Sequence, residues 1–287
     1  MYNFRERALS VILQFLFFSL NRILILPSVI LNVTTEELFS DSLGRNVVLT
    51  HIVPSCQKPF QKLLLLNDGQ YFGPLRLVDI LNNFWEGKEK APFLVTGIHA
   101  GHDRLHEYGI AGQADYAGRG SRASHTTSFV INELLPYLSD KFQTSFAEII
   151  YAGFSLGGLM ALDITWQHPG VFSRVGVFSG ALWWRQKALD DGYRDEDRIM
   201  HRQIWESARC PDLKFWFQCG GKDETDDRDG DGVIDSIQDT LECIVELERK
   251  GFFWGKDIRY VEVPDGEHNV CTWSGIMPDF LEWAFGD

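Results

Sequence analysis

The sequence has few of the features that mark disulfide-rich, nucleic-acid-binding or multidomain proteins. Its five cysteines show no paired spacing, which indicates reduced thiols and a cytoplasmic protein. Acidic residues outnumber basic ones by 40 to 27, and the net charge of −13 argues against binding to nucleic acid or to an anionic membrane surface. Because no internal repeat and no Pro/Ser-rich linker interrupts the chain, we expect its folded part to be one domain.

A long apolar run lies at the start of the chain. Arg5 and Arg7 precede an apolar stretch at 8–20, as in a signal peptide, but no A-x-A-like cleavage site follows. The run is too short and too interrupted to predict a transmembrane helix. We therefore expect residues 1–27 to be a non-folding extension, residues 28–287 to form the domain, and no segment to span a membrane. Export through a signal peptide is the alternative to a cytoplasmic location.

The most informative motif is Gly-Phe-Ser-Leu-Gly at 153–157. This pattern, G-x-S-x-G, is typical of the turn that carries the nucleophilic serine in α/β-hydrolases. Residues 147–152 predict a short buried strand before it, and residues 159–162 begin a helical run after it. The glycines remove side chains that would clash in so tight a turn. The sequence therefore predicts Ser155 as a nucleophile at a strand–helix junction.

A serine nucleophile needs a base, which in this order of motifs follows it in the chain. His168 lies at the far end of the helix that carries the serine, and His201 lies in a charged, helix-like stretch. His268 follows a β-rich run at 258–263 and precedes a helical segment at 273–285. A loop after the last strand is where the base is required, so His268 is the predicted base.

The acid of a triad is expected between the serine and the histidine, after the preceding strand. Residues 213–219 predict that strand, and Gly-Gly-Lys-Asp-Glu follows at 220–224. Asp223 is the best candidate for orienting His268 and stabilising its imidazolium form. Glu224, Asp226 and Asp227 are close enough in sequence to compete for this role.

These motifs together resemble the esterase D-like branch of α/β-hydrolases, which includes enterochelin, feruloyl and acetyl-xylan esterases, S-formylglutathione hydrolases and mycolyltransferases. The matching segments lie at 64–70 (Leu-Leu-Leu-Asn-Asp-Gly-Gln), 153–158, 219–224 and 266–268. The resemblance covers the chain from about residue 28 to its end. It implies an α/β-hydrolase fold with a mostly parallel central sheet and helices on both faces. It also implies that the N–H groups of Gln70 and Leu156 form the oxyanion hole.

The order of predicted elements agrees with that fold class, because strands and helices alternate along most of the chain. An antiparallel pair is expected first, around a turn at 42–44. Further elements are then predicted in this order: strand 62–66, helix 75–85, strand 93–98, a Gly-rich loop 99–123, helix 127–138 and strand 172–178.

A second motif lies in an acidic segment at 225–239. Compared with the calcium-binding loop of EF-hands, Asp227, Asp229 and Asp231 occupy ligand positions 1, 3 and 5, Val233 offers its carbonyl, and Asp235 occupies position 9. Position 12, normally a bidentate glutamate, is Gln238 here. We therefore predict weak binding of a structural Ca²⁺ ion and no cofactor for catalysis. The alternative is a solvated acidic loop.

Other candidates carry less information. Tyr71, Trp183 and Trp184 lie beside motif positions and are predicted to line a substrate pocket. The histidines of the Gly-rich loop are predicted to serve in loop packing, because their spacing lacks the helical context or cysteine partner of a metal site.

The sequence as a whole predicts a serine carboxylic-ester hydrolase that acts through an acyl-enzyme. Its expected partner is a small-molecule or carbohydrate-linked ester. Two alternatives stay open: an acyltransferase with the same triad, and a catalytically silent binding protein on the same scaffold.

Overall fold

The computed structural model describes residues 29–55, 60–86, 90–208 and 210–286, and the predicted extension at 1–27 lies outside them. An eight-stranded sheet forms the centre of the molecule. Its strands are β1 (Leu31–Ser40), β2 (Arg45–Pro54), β3 (Lys62–Asn67), β4 (Leu94–Ile98), β5 (Glu148–Phe154), β6 (Arg174–Phe178), β7 (Lys214–Lys222) and β8 (Ile258–Glu267). The helices are α1 (Leu77–Trp85), α2 (Arg104–Glu107), α3 (Ala123–Ser128), α4 (Leu135–Phe142), α5 (Leu156–Gln167), α6 (Ile199–Glu206), α7 (Asp235–Arg249) and α8 (Val270–Phe285).

The strands lie in the order β1-β2-β4-β3-β5-β6-β7-β8. Strand β2 is antiparallel to both of its neighbours, and every other adjacent pair is parallel. The carboxyl ends of β3, β5, β6, β7 and β8 therefore meet at one edge of the sheet, where the loops of an α/β fold form binding sites.

The sheet is buried on both faces, as β3 shows. Leu63 and Leu65 point into a core layer shared with helices α4, α5 and α7, whereas Leu64 and Leu66 point into a second layer shared with α1 and α8. This explains why β3 is a continuous apolar run and not an alternating one. The predicted fold class, a mostly parallel sheet covered by helices on both faces, is confirmed.

Several element boundaries differ from the sequence prediction. Strand β7 continues past its predicted end at 219 to Lys222, because Gly220 and Lys222 still pair with β8 across a local register shift. The helix predicted at 127–138 is a longer region, in which a π-helical stretch, Phe129–Leu134, joins α3 to α4. The predicted Gly-rich loop contains the short helix α2.

Among the described residues, no helix is long and apolar enough to cross a membrane. Four described cysteines, Cys210, Cys219, Cys243 and Cys271, are free thiols. Burial raises the pKa of Cys219 and of Cys243 to about 12, so both thiols stay protonated.

Candidate active site

Ser155 lies between β5 and α5 in a strained backbone conformation, with φ 54° and ψ −123°. Hydrogen bonds on both sides of the residue hold this conformation. Its N–H donates to the Phe178 carbonyl at 2.8 Å, and its carbonyl accepts from Ala181 N–H at 3.2 Å. A positive φ at a non-glycine residue persists only where the surroundings impose it, and such strain clusters at functional sites. The predicted serine therefore lies in the predicted turn.

The two outer glycines of the motif are required by close contacts with buried neighbours. A Cβ atom at Gly153 would collide with the carbonyl of Gly157, and a Cβ atom at Gly157 would lie 2.6 Å from Asp68 Oδ2. The Asn67 side chain also donates to the Gly157 carbonyl at 2.8 Å. The end of β3 is thus joined directly to the turn that carries Ser155.

His268 directly follows β8 and precedes the helix α8. Asn269 caps that helix, because its side chain accepts hydrogen bonds from two backbone N–H groups of the first turn. The imidazole packs edge-on against the Trp273 ring, with the ring centroids 5.5 Å apart. Burial lowers the pKa of His268, Asp223 acts in the opposite direction, and Arg104 lowers it further. The ring is therefore neutral at pH 7, as a general base must be.

Asp223 lies directly after β7. This strand pairs with β8, the strand that His268 follows. Its Oδ2 accepts from Gly220 N–H at 2.9 Å, while its Oδ1 is buried and has no hydrogen-bond partner among the described residues. A side chain at Gly220 would collide with the carbonyl of Gly266, so the two loops approach closely here. One oxygen of Asp223 is thus fixed by the backbone and the other is available to a neighbouring donor.

The competing acids have different environments. Asp227 accepts N–H groups of Gly230 and Gly232 through its two oxygens, and it is thereby bound to its own loop. Burial raises the pKa of Glu224, whereas the acid of a triad has to be ionised. Of the four candidates from the sequence, Asp223 is the one whose charge acts on His268.

Gln70 and Leu156, the predicted oxyanion residues, each lie in a first helical turn. Gln70 is in the 3₁₀ turn Gly69–Tyr71, and Leu156 is the first residue of α5. The first N–H groups of a helix have no acceptor within it and point toward whatever lies at its N-terminus. The side chain of Gln70 is fixed on both sides, because it accepts from Ala100 N–H and donates to Asp68, each at 3.1 Å.

The sequence did not predict an ion pair at the start of the turn Gly69–Tyr71. Asp68 is fully buried with φ 62°, and Arg104 binds it through two hydrogen bonds of 2.7 Å. The same guanidinium lies 3.4 Å from the carbonyl of Phe154, the residue before the nucleophile. Paired in this way, Arg104 has a raised pKa although burial opposes it. The Asp-Gly motif pointed to Asp68, but its partner lies in the loop region to which the sequence assigned only packing.

Tyr71 and Trp273 form an aromatic wall at one side of the site. Trp273 stacks on Phe154 with centroids 4.9 Å apart, contacts Tyr71 at 6.3 Å, and donates its indole N–H to Ser179 at 3.0 Å. Tyr71 is half-buried, so part of its ring is open to a ligand. The wall adjoins His268 through Trp273.

The two predicted tryptophans differ in their surroundings. Trp183 is half-buried, whereas Trp184 has no exposed surface. The Trp184 ring lies against Gly109 and Gly120, where added Cβ atoms would come within 2.8 and 2.7 Å of it. The structure thus places Trp184 in the core, and the prediction that it lines a substrate pocket is corrected. That Trp183 lines a substrate pocket stays a prediction.

The aspartate loop, residues 226–235, lies between the end of β7 and the first residue of α7. Carboxylate oxygens of Asp227, Asp229 and Asp231 lie within 4.8 Å of one another. Asp235 does not join them: its carboxylate accepts from the backbone N–H of Arg228 at 2.9 Å and lies 3.4 Å from Nη1 of the Arg228 guanidinium. Gln238 donates to Asp229 at 3.0 Å. The residues at positions 1, 3 and 5 are therefore brought together, and the residue at position 9 faces a cation of the protein.

The loop histidines have separate partners, as expected for packing. His99 Nε2 lies 2.8 Å from the Thr50 hydroxyl, and His106 Nδ1 lies 3.2 Å from the Gly118 carbonyl. Among the described residues, the aspartates at 227, 229 and 231 are the group with metal-ligand geometry.

A family model described as Putative esterase matches residues 40–282 of this chain. The match includes every residue of the site described above. Among curated proteins, the chain is 24% identical over 258 residues to the protein of Bacillus subtilis (strain 168) described as "Uncharacterized protein YjcH", a match that covers 87% of this chain and 96% of the relative.

Solved structures of similar fold carry the names of esterases and hydrolases. A ferulic acid esterase is 16% identical with a TM-score of 0.67, covering 90% of this chain and 99% of its own. The enterobactin esterase FES from Shigella flexneri, solved with enterobactin, is 18% identical with a TM-score of 0.69, covering 89% of this chain, which spans 59% of the esterase's length. S-formylglutathione hydrolase (FrmB) from Staphylococcus aureus is 17% identical with a TM-score of 0.61, covering 91% and 99%. These likenesses confirm the α/β-hydrolase fold.

Proposed function

We propose that this chain, which belongs to the Putative esterase family and is an esterase, cleaves carboxylic esters with a triad of Ser155, His268 and Asp223. The observation that carries the proposal is the strained Ser155 at the end of β5, at the same edge of the sheet as the two partner residues. They follow β7 and β8, the outermost parallel strands. Three polar side chains of the right types, at the carboxyl ends of parallel strands in one sheet, are what nucleophilic catalysis by serine requires.

In the proposed acylation step, Ser155 Oγ attacks the carbonyl carbon of the ester and His268 takes the hydroxyl proton. Negative charge develops on the carbonyl oxygen, where the N–H groups of Gln70 and Leu156 stabilise it. When the tetrahedral intermediate collapses, the bond to the alcohol oxygen breaks. His268 donates its proton to that oxygen, the alcohol leaves, and the acyl group stays on Ser155.

Deacylation repeats these events with water. His268 removes a proton from the water, whose oxygen attacks the acyl carbon, and the same two N–H groups stabilise the second oxyanion. The bond to Ser155 Oγ then breaks, the serine recovers its proton from His268, and the acid is released. Asp223 accepts a hydrogen bond from the imidazole throughout and stabilises its charged form.

A fluorophosphonate probe tests the nucleophile directly. It reacts with an activated serine and should modify Ser155 alone, as located by mass spectrometry of tryptic peptides. Serines outside the strained turn serve as internal controls in the same digest. Modification of another serine, or none at Ser155, would contradict the proposal.

The rival acyltransferase differs only in the acceptor of the acyl group. An alcohol would replace water in the second half-reaction, with the same residues in the same roles. Product analysis decides between them: an ester substrate is incubated with and without a sugar or a simple alcohol, and free acid is compared with transferred ester. Hydrolysis predicts free acid as the main product in both mixtures.

The expected substrate is a small-molecule or carbohydrate-linked ester. The half-buried rings of Tyr71 and Trp183 support an apolar or aromatic group beside the carbonyl. A panel of p-nitrophenyl esters with acyl groups of increasing size, together with aromatic acid esters, tests this. We expect kcat/KM to rise with the size of the acyl group or the aromatic character of the ester.

We also propose that the aspartate loop binds Ca²⁺ in a structural role. The three converging carboxylates support this, since Ca²⁺ prefers oxygen ligands. Asp235 faces Arg228 and Gln238 replaces the usual glutamate, so we expect weak affinity, with Kd in the range of about 10⁻⁴–10⁻³ M. The proposed ester cleavage itself needs no cofactor, because protein side chains and backbone N–H groups supply each of its steps.

A further inference from the structure

A cluster of aromatic rings and arginines lies where the segment that follows β6 meets the Gly-rich loop. It consists of Tyr116, Arg119, Trp183, Arg185 and Tyr193, here called the arginine–aromatic cluster. Its segment is joined to the nucleophile, because the N–H of Ala181 donates to the Ser155 carbonyl at 3.2 Å. It is joined to the Gly-rich loop as well, because Tyr116 N–H donates to the Arg185 carbonyl at 3.0 Å.

Arg185 lies at the centre of this cluster. Its guanidinium carbon is 5.1 Å from the ring centroid of Tyr116, 5.7 Å from that of Tyr193 and 6.0 Å from that of Trp183. Its Nη1 lies 3.4 Å from the Trp183 carbonyl, a long hydrogen bond, and its Nε is buried without a partner. Of the five donors that a guanidinium offers, most therefore have no partner within the described part of the chain.

The charge of Arg185 is also unpaired among the described residues, within the 4 Å limit of an ion pair. Nearby arginines differ: Arg119 binds Asp115 at 2.6 Å, and Arg228 binds Asp239 at 2.6 Å. The contrast is informative because acidic residues outnumber basic ones by 40 to 27 in this chain. A half-buried guanidinium that lies among aromatic rings and has no carboxylate partner is available to bind an anionic group of a ligand.

We propose that Arg185 binds a carboxylate of the ester substrate, so that the enzyme prefers esters that carry a second, ionised acid group. This inference rests on the proposed ester cleavage at Ser155 and names the substrate class of that site. The planar fork of the guanidinium matches a carboxylate, and the rings of Tyr116 and Trp183 pack against an aromatic or aliphatic body between the two groups.

The reach is compatible with one small molecule. Three residues lie between Ala181 and Arg185, so the Cα atoms of these two residues are at most about 14 Å apart even in a fully extended chain. The carboxylate can belong to the acyl part or to the alcohol part of the ester. Both place an anion several bonds from the reacting carbonyl, and the experiment treats them as separate arms.

The test measures kcat/KM for isosteric pairs that differ only in charge. For the acyl arm, the mono-p-nitrophenyl ester of glutaric acid is compared with the corresponding glutaric monoamide. For the alcohol arm, 4-acetoxybenzoate is compared with 4-acetoxybenzamide. In at least one arm, we expect wild type to prefer the anionic member by tenfold or more, since a hydrogen bond to a charged group is worth about that factor. Equal rates within both pairs would overturn the inference.

Three variants assign the preference to Arg185. In Arg185→Gln the ratio of anionic to neutral kcat/KM should fall about tenfold. In Arg185→Lys part of it should remain, because the charge stays while the fork is lost. Arg259→Gln removes the same charge from an exposed position at the far end of β8 and should leave the ratio unchanged. An equal fall in the Arg259 variant, or a complete loss in the lysine variant, would contradict the proposal. Each ratio is internal to one protein, so partial unfolding cancels.

A binding measurement separates this inference from the proposed function. Calorimetry with 4-acetamidobenzoate and 4-acetamidobenzamide, which an esterase leaves intact, reports recognition of the carboxylate without ester cleavage. Tighter binding of the acid to wild type than to Arg185→Gln, in a protein that hydrolyses no ester, would overturn the catalytic proposal and leave the site standing. Ester hydrolysis with equal binding of the two compounds to wild type, and with equal rates within both ester pairs, would overturn the carboxylate site and leave the catalytic proposal standing.

Discussion

The turn at Ser155 and the aspartate loop are both glycine-containing turns with a sequence motif, but different forces hold them in place. At Ser155 the surroundings impose the conformation. The Phe178 carbonyl fixes the serine N–H, and any side chain at Gly153 or Gly157 would collide with a buried neighbour. A backbone at φ 54° is thus maintained by contacts from other parts of the fold.

In the aspartate loop, the loop itself supplies most of the contacts. Asp227 accepts from Gly230 and Gly232, and Asp231 accepts from Val233. Nothing lies within 4 Å of a Cβ atom built at either glycine. The serine turn is therefore fixed by packing and should tolerate no added atom, whereas the aspartate loop is fixed by local hydrogen bonds and should respond to a bound cation.

The largest expected effect is that of Ser155→Ala. Losing the nucleophile should lower kcat by about 10⁶-fold, as in other serine triads, while Tm stays within about 2 °C because the change removes one oxygen atom from a half-buried side chain. Ester hydrolysis and thermal unfolding are measured on the same preparation. Full activity in the alanine variant would show that another group is the nucleophile.

The next largest effect is that of Asp223→Asn, which should lower kcat by about 10⁴-fold. Since burial lowers the pKa of His268 and Asp223 opposes that shift, removing the carboxylate should lower the pKa of the imidazole further. The acidic limb of the pH–rate profile should therefore move to lower pH. The matched variants are Glu224→Gln, Asp226→Asn and Asp227→Asn. A greater loss of kcat in any of these three would identify a different acid.

A glycine pair tests the comparison of the two turns. Gly153→Ala adds a methyl group against backbone atoms and should destabilise the fold by about 3 kcal/mol and reduce kcat at least about 100-fold. Gly230→Ala, at φ 74° with open space around it, should cost about 1 kcal/mol and change kcat less than about threefold. Denaturant unfolding and steady-state rates provide both values. Equal losses in the two variants would remove the proposed distinction.

Calcium should have the smallest effect. A ligand that binds only the folded state adds RT ln(1 + [L]/Kd), about 2.7 kcal/mol at a hundredfold excess over Kd and less in millimolar CaCl₂ if binding is weak. Thermal unfolding in EGTA is compared with unfolding in CaCl₂, and MgCl₂ serves as the ionic control. The double variant Asp229→Ala/Asp231→Ala should lose the rise in Tm. A rise that persists in this variant would place the ion elsewhere.

The sequence predicted well those structural features that depend on residues close together in the chain. The apolar run of β3, the Gly-Phe-Ser-Leu-Gly turn and the position of His268 after the last strand depend on a few consecutive residues. Their backbone geometry leaves few alternatives. The fold class followed from the alternation of strands and helices, since parallel strands require crossover helices.

Contacts between distant segments were decided only by the tertiary structure. Arg104 binds Asp68 across 36 residues, and no spacing rule links the two positions. Trp184 looked like a pocket residue, but it is buried against Gly109 and Gly120. Asp235 fits the calcium motif, yet its carboxylate forms an ion pair with Arg228.

The sequence by itself predicted Ser155, Asp223 and His268 and their order along the chain, because each of these predictions depends on a local pattern of residues. The tertiary structure decided which charges are paired and which remain unpaired. That distinction separates Arg119, bound to Asp115, from Arg185, which lies among aromatic rings without a carboxylate within 4 Å in the described part of the chain. The physical reason is that an ion pair depends on distances between side chains from different loops, and those distances are set only when the sheet brings the loops to one edge.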